Sequence, residues 1–152
     1  MDLNGIVTKP RQPAFLVRPN DQTNIPIHAT TVIAFGSEVF DTNSDFNASN
    51  YTFTAPVTGV YHFSLNLNVA QLDNATAYHW CSLNTTDVNY FVNIISGPTH
   101  AADSYHAFTA SMLVNLDAND TAKVTMQLAN SGTAQMDVIS GNSSQFSGFL
   151  VC

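Results

Sequence analysis

One spaced run constrains this chain more than any other feature. Phe35, Asp41, Phe46, Phe53, Gly59, Tyr61 and Phe63 follow one another with five, four, six, five, one and one residues between them. Around the run the chain alternates with a period of two. Tyr61, Phe63, Leu65, Leu67 and Val69 point one way, while His62, Ser64, Asn66 and Asn68 point the other. That is the signature of a half-buried strand. Strands are expected at residues 14–18, 31–35 with a continuation at 38–40, 51–55, 60–69, 77–83, 88–95, 105–116, 122–128, 135–139 and 145–151. Turn-forming residues separate them, and the polar loop 41–50 holds one apolar anchor, Phe46. No segment carries a 3.6-residue period. Many short strands closed by frequent turns mean a sandwich or barrel. Periodicity alone does not separate an immunoglobulin-like sandwich from a jelly roll.

Composition agrees. At 152 residues the chain reads as one domain. Hydrophobic residues are 45% of it, so it can build a core; charged residues are only 10%, well below the usual quarter. Asn, Thr and Ser supply the polar surface, and these are poor helix formers that suit turns and strand faces. The net charge is −7. Residues 1–20 hold Lys9, Arg11 and Arg18 against Asp2, giving +2, so the rest carries −9. An acidic body repels phosphate, which argues against nucleic acid as a partner. No apolar run is long enough to span a membrane, and the N-terminus shows no apolar secretory core. Residues 1–12 read as an extended arm and residues 13–152 as the domain; Lys9, Arg11 and Arg18 are candidate anchors for an acidic neighbour.

The spaced run resembles the signature of the globular head of the complement component 1q family, a relative of the tumour necrosis factor superfamily. The segment Phe146-Ser147-Gly148-Phe149-Leu150 looks like the family's last strand. Residues 113–126, with the Asn119-Asp120 turn, are similar to its penultimate hairpin, and Pro13-Ala14-Phe15 to its first strand. One position departs, since the family usually ends the main motif with an aromatic where this chain has Leu65. The resemblance implies an all-β, ten-stranded jelly-roll sandwich that assembles as a trimer. It implies that Phe35, Phe46, Phe53, Tyr61 and Phe63 interlock between the sheets, that Gly59 permits a tight turn and that Asp41 caps the following loop. Phe146, Gly148 and Phe149 complete the motif core. Phe149, Tyr61 and Phe63 are each candidates for the trimer seam or for the interior.

Residues that could carry chemistry have plainer readings. His28, His62, His79, His100 and His106 lack zinc-type spacing. His79 and Cys81 share a strand face and could form half a site, but ordinary packing explains them. His62, on the polar face, reads as solvated. Cys81 reads as a small buried hydrophobe; a bridge to Cys152 is the alternative. Asp41, Asp45, Asp117 and Asp120 could serve calcium, which needs several oxygen ligands, but match no calcium loop and read as turn acids. Six Asn-x-Ser/Thr triplets fit chance in a chain of this composition. No nucleophile motif surrounds any Ser, and no cofactor is expected. The expectation is a non-enzymatic homotrimer on the virion surface of a bacterial virus, decorating the capsid or tipping a fibre. The arm would hold a neighbouring capsid or fibre protein. The alternative is an extracellular recognition head that binds a protein or glycan.

Overall fold

The computed structural model describes residues 9, 11–25, 29–72, 74, 77–99, 104–129 and 136–151. Within them twelve strands run in chain order: β1 (Ala14–Arg18), β2 (Thr31–Val32), β3 (Ser37–Asp41), β4 (Phe46–Asn47), β5 (Thr52–Thr54), β6 (Gly59–Leu72), β7 (Tyr78–Thr85), β8 (Asn89–Ser96), β9 (Ser104–Leu116), β10 (Thr121–Ala129), β11 (Asp137–Val138) and β12 (Gln145–Leu150). Two single 3-10 turns, Gly97–Thr99 and Gly141–Ser143, are the helical elements among the described residues.

The strands form two antiparallel sheets of six. In the first the order is β3, β1, β12, β6, β9, with the short β11 beside β6 beyond the end of β12. In the second it is β4, β5, β10, β7, β8, with β2 on the same side of β10 as β5. Successive strands cross repeatedly between the layers, except at β4–β5, β7–β8 and β11–β12, which gives the jelly-roll topology. Two sheets must bury one face each, so inward residues of both fill the space between them.

That space is occupied by rings. Phe15 of β1 stacks on Phe46 and Phe53 of the opposite sheet, with centroids 5.1 and 5.0 Å away. It meets Phe146 edge-on at 5.1 Å. Phe53 meets Tyr61 and Phe63 edge-on at 5.5 and 5.7 Å, and Phe35 sits 5.5 Å from Phe146. Such offset and edge-to-face pairs add about 0.5–1.5 kcal/mol each beyond their area burial. Gly148 makes the closest packing possible. A Cβ there would lie 2.7 Å from a Phe63 ring carbon and 2.8 Å from one of Phe15. The rings close over the strand because that position has no side chain.

Local departures from the expected strands have physical reasons. Residues 31–35 form a ladder at Thr31 and Val32, after which Ile33 N donates to Val124 O at 3.0 Å. The chain then crosses between sheets, with Phe35 N donating to Ile33 O and Gly36 N to Ala34 O in two successive tight bends. Ile33 and Phe35 are fully buried, so the crossing gains interior rings and apolar branches in place of ladder bonds. Phe46 is itself a ladder residue, opposite Phe53. In the segment expected at 135–139, Asp137 and Val138 pair with β6 and Ile139 N donates to Asn68 O at 2.9 Å, while residue 135 lies outside the described residues.

A candidate self-association face on the first sheet

The outward face of the first sheet is graded along its strands. Lateral register places Ala14, Phe149, His62 and Leu113 side by side across β1, β12, β6 and β9. The next outward row is Phe40, Leu16, Ser147, Ser64 and Ser111. The row beyond it holds Gln145, Asn66 and Thr109. Across β12, β6 and β9 the face thus passes from largely apolar to hydroxyl to largely amide within three rows, while Leu16 and Phe40 keep the β1–β3 side of the second row apolar. Phe149 is 44% exposed and Leu113 63% exposed, so the apolar row is open to solvent. Phe40 at the β3 edge is also exposed. The His62 ring lies 5.0 Å from that of Phe149, and its Nε2 is 2.8 Å from Ser111 Oγ. His62 is therefore half-buried in an apolar row and is not the freely solvated group expected from the alternation.

The three seam candidates separate. Tyr61 and Phe63 are buried in the ring cluster, and the Tyr61 hydroxyl donates to Val57 O at 2.7 Å. Burial raises the phenol above its ordinary pKa. Phe149 points outward and does not join the interior, a correction to its place in the motif core. Alternation along β12 decides this: Phe146 and Gly148 face in, so Phe149 faces out. Phe35, Phe46, Phe53 and Phe146 lie inside.

Asp41 closes the β3–β4 loop. Its Oδ2 accepts from Phe46 N at 2.7 Å and its Oδ1 from Asn43 N at 3.4 Å. Asp45 stands close by with one carboxylate oxygen buried; desolvation first, and Asp41 second, raise its pKa. Gly59 starts β6 opposite Leu116 without a left-handed backbone, so its turn does not draw on glycine's conformational freedom. The described glycine with positive φ is Gly141.

Asp117 and Asp120 hold their own turn, Asp120 Oδ2 accepting from Asp117 N at 2.8 Å. No group of three or more metal-ligating side chains gathers among the described residues. His79 and Cys81 both face the interior; the His79 ring lies 5.9 Å from Phe108 and 6.4 Å from His106. Cys81 is a free, buried thiol whose pKa burial pushes far up, which suits inert packing. Cys152, His28 and His100 lie outside the described residues.

The basic N-terminal stretch is only partly described, since residues 1–8 and 10 lie outside the described set. Asn43 Nδ2 donates to Arg11 O at 2.9 Å, and the Gln12 side chain donates to Leu150 O, so this part lies against the domain. Lys9 and Arg11 line an apolar groove of about 660 Å³ with Pro13, Pro56, Val57 and Val151. Arg18 does not belong with them. It closes β1 inside the sheet, half-buried and opposite Ser37.

The layer order and the aromatic interior decide the family question together with the sequence, which matches the C1q domain over residues 14–151. The chain belongs to the C1q domain family. Among solved structures, the globular domain of zebrafish complement 1qA superposes with a TM-score of 0.71 at 18% identity, covering 93% of this chain and 98% of that one. The Eiger TNF of S. frugiperda gives 0.64 at 12% identity, with 93% of each chain covered. Murine APRIL at pH 8.0 gives 0.63 at 12%, covering 93% and 100%. At these identities the likeness is one of fold. No curated protein matches the sequence.

Proposed function

We propose that this C1q domain is a non-catalytic head that associates in threes through the outer face of its first sheet. The observation that carries the reading is the open row Phe149, His62 and Leu113, in register across three strands. Exposed apolar rows on a soluble domain mark contact surfaces. The serine row beside it, Ser147, Ser64 and Ser111, is short enough to let a second backbone come close. Strand β9, at the edge of this sheet, adds the exposed Tyr105 and Leu113. The family packs three jelly rolls about an axis with apolar and aromatic residues at the seam, and this face supplies both. Closed threefold symmetry satisfies all copies at once.

Such a head acts by binding a macromolecule, and two placements are carried forward. On the surface of a bacterial virus it would decorate a capsid or tip a fibre, held through its N-terminal stretch; low charge and the basic Lys9 and Arg11 support this. As an extracellular recognition head it would bind a protein or glycan, as favoured by membership of the C1q domain family. Light scattering of the purified chain tests the assembly, and Phe149→Glu is expected to yield monomer. Co-purification from the native source tests the placement: capsid or tail proteins in the complex support the first, and a soluble extracellular form without them supports the second.

A further inference from the structure

We infer that the outer face of the second sheet is a binding site for a neutral oligosaccharide. This goes beyond the proposed assembly and lies on the other layer, so a chain that proved monomeric would still carry it. Register sets Gln127, Trp80 and Ile94 side by side across β10, β7 and β8, with Thr125, Ser82 and Phe91 as the next outward row. Tyr78 stands one outward step along β7 and stacks on Trp80, centroids 5.1 Å apart and planes 20° from parallel. Phe91 meets Trp80 edge-on at 6.1 Å. Phe91 and Ile94 are each 60% exposed and Tyr78 is 44% exposed. The result is a solvent-facing aromatic ridge that contributes nothing to the core.

Beside the ridge runs an uncharged polar strip, in which the Asn84 and Gln127 side chains are half-buried and Ser82 and Thr125 are buried. Ser82 Oγ and Thr125 Oγ1 are 2.9 Å apart, Thr125 donates to Asn84 Oδ1 at 3.1 Å, and Thr30 donates to Gln127 Oε1 at 2.8 Å. These bonds fix the orientation of both amides and hydroxyls. The two rows hold no ionisable residue; Lys123 stands opposite Asn84, one row further along β10. Size narrows the choice further. From Tyr78 to Ser82 the ridge spans about 13 Å, and from β10 to β8 about 10 Å. That matches two or so linked sugar rings and falls far short of the roughly 800 Å² per partner of a standard protein interface. A pyranose has an apolar C–H face and a rim of hydroxyls. The ridge takes the first and the half-buried Asn84 and Gln127 amides the second, the combination of apolar wall and few placed polar groups that small-ligand sites use.

Trp80 is the single tryptophan, so its emission reports on this site alone. The test titrates the full chain with neutral oligosaccharides of glucose, galactose, mannose and N-acetylglucosamine. At least one is expected to change Trp80 emission saturably, with an affinity that does not move when salt is raised. Phe91→Ala and Ile94→Ser are each expected to weaken it about tenfold, with melting curves confirming folded variants, while Leu113→Ala on the other sheet leaves it unchanged. Four results would each overturn the site: no response to any neutral sugar up to about 10 mM; wild-type binding in both ridge variants; salt-sensitive binding of sulfated or sialylated glycans only; or a protein partner that covers Trp80 and is not displaced by sugar.

Discussion

Strands β6 and β12 present two faces built from the same residues in alternation, and the two faces obey different rules. Inward, Tyr61, Phe63, Leu65 and Phe146 are buried among rings from both sheets, and Gly148 is a glycine because two of those rings leave no room. Outward, His62, Ser64 and Asn66 are half-buried and Phe149 is exposed, with His62 against Phe149 and Ser111 and Asn66 donating to Ser143 O. The inner face is over-determined: each ring has several neighbours that constrain its size and shape. The outer face is held by fewer contacts within the domain. Substitutions on the two faces should therefore fail differently, the first in folding and the second in assembly.

The largest effect is expected at the centre of the ring cluster. Phe15→Ala removes the ring that touches Phe46, Phe53, Phe63 and Phe146. It should cost about 3–5 kcal/mol, read as a lower denaturant midpoint, as for other buried Phe truncations. A loss under about 1 kcal/mol would show that the two faces are not so different after all. Gly148→Ala comes next, at roughly 1–3 kcal/mol, because the added methyl must displace Phe63 and Phe15. Pairing Gly148→Ala with Phe63→Leu should recover part of that loss, which a general glycine effect would not.

How much of this was legible in sequence follows the same division. Phe35, Phe46, Phe53, Tyr61, Phe63 and Phe146 are readable because burial forces apolar identity and the pleat forces spacing. Phe15 lies in a strand expected at residues 14–18, but its place as the hub of the cluster shows only in space. Phe149 looks like one more core aromatic until the parity of β12 is known. The crossing at residues 33–36 reads as strand because β-branched residues serve either role. The Trp80 ridge escapes a linear reading altogether. Its parts come from β7 and β8, and a bulge at Cys81 and Ser82 brings Phe91 opposite Ser82.

Smaller effects sharpen the contrast. On the outer face, Leu113→Ser should leave the monomer's melting temperature nearly unchanged, within about 0.5 kcal/mol, while weakening assembly. Size-exclusion elution as a function of concentration separates the two. In the β3–β4 loop that joins the two sheets, Asp45 has a raised pKa, so its ionised form opposes folding at neutral pH. Asp45→Asn should therefore raise the melting temperature slightly at pH 7. That advantage should fade as pH falls through the raised pKa towards the ordinary carboxylate value, where both side chains are neutral. An advantage that grew on acidification would have the wrong sign.

The central claim is that an open apolar row on the first sheet is covered by further copies of the chain. Multi-angle light scattering on the wild type and on Phe149→Glu, at matched micromolar concentration, tests it most directly. The account predicts a mass of three chains for the wild type and one chain for the variant, with identical strand-type circular dichroism. A wild type that runs as a single chain, or a Phe149→Glu variant that remains at three, would contradict it.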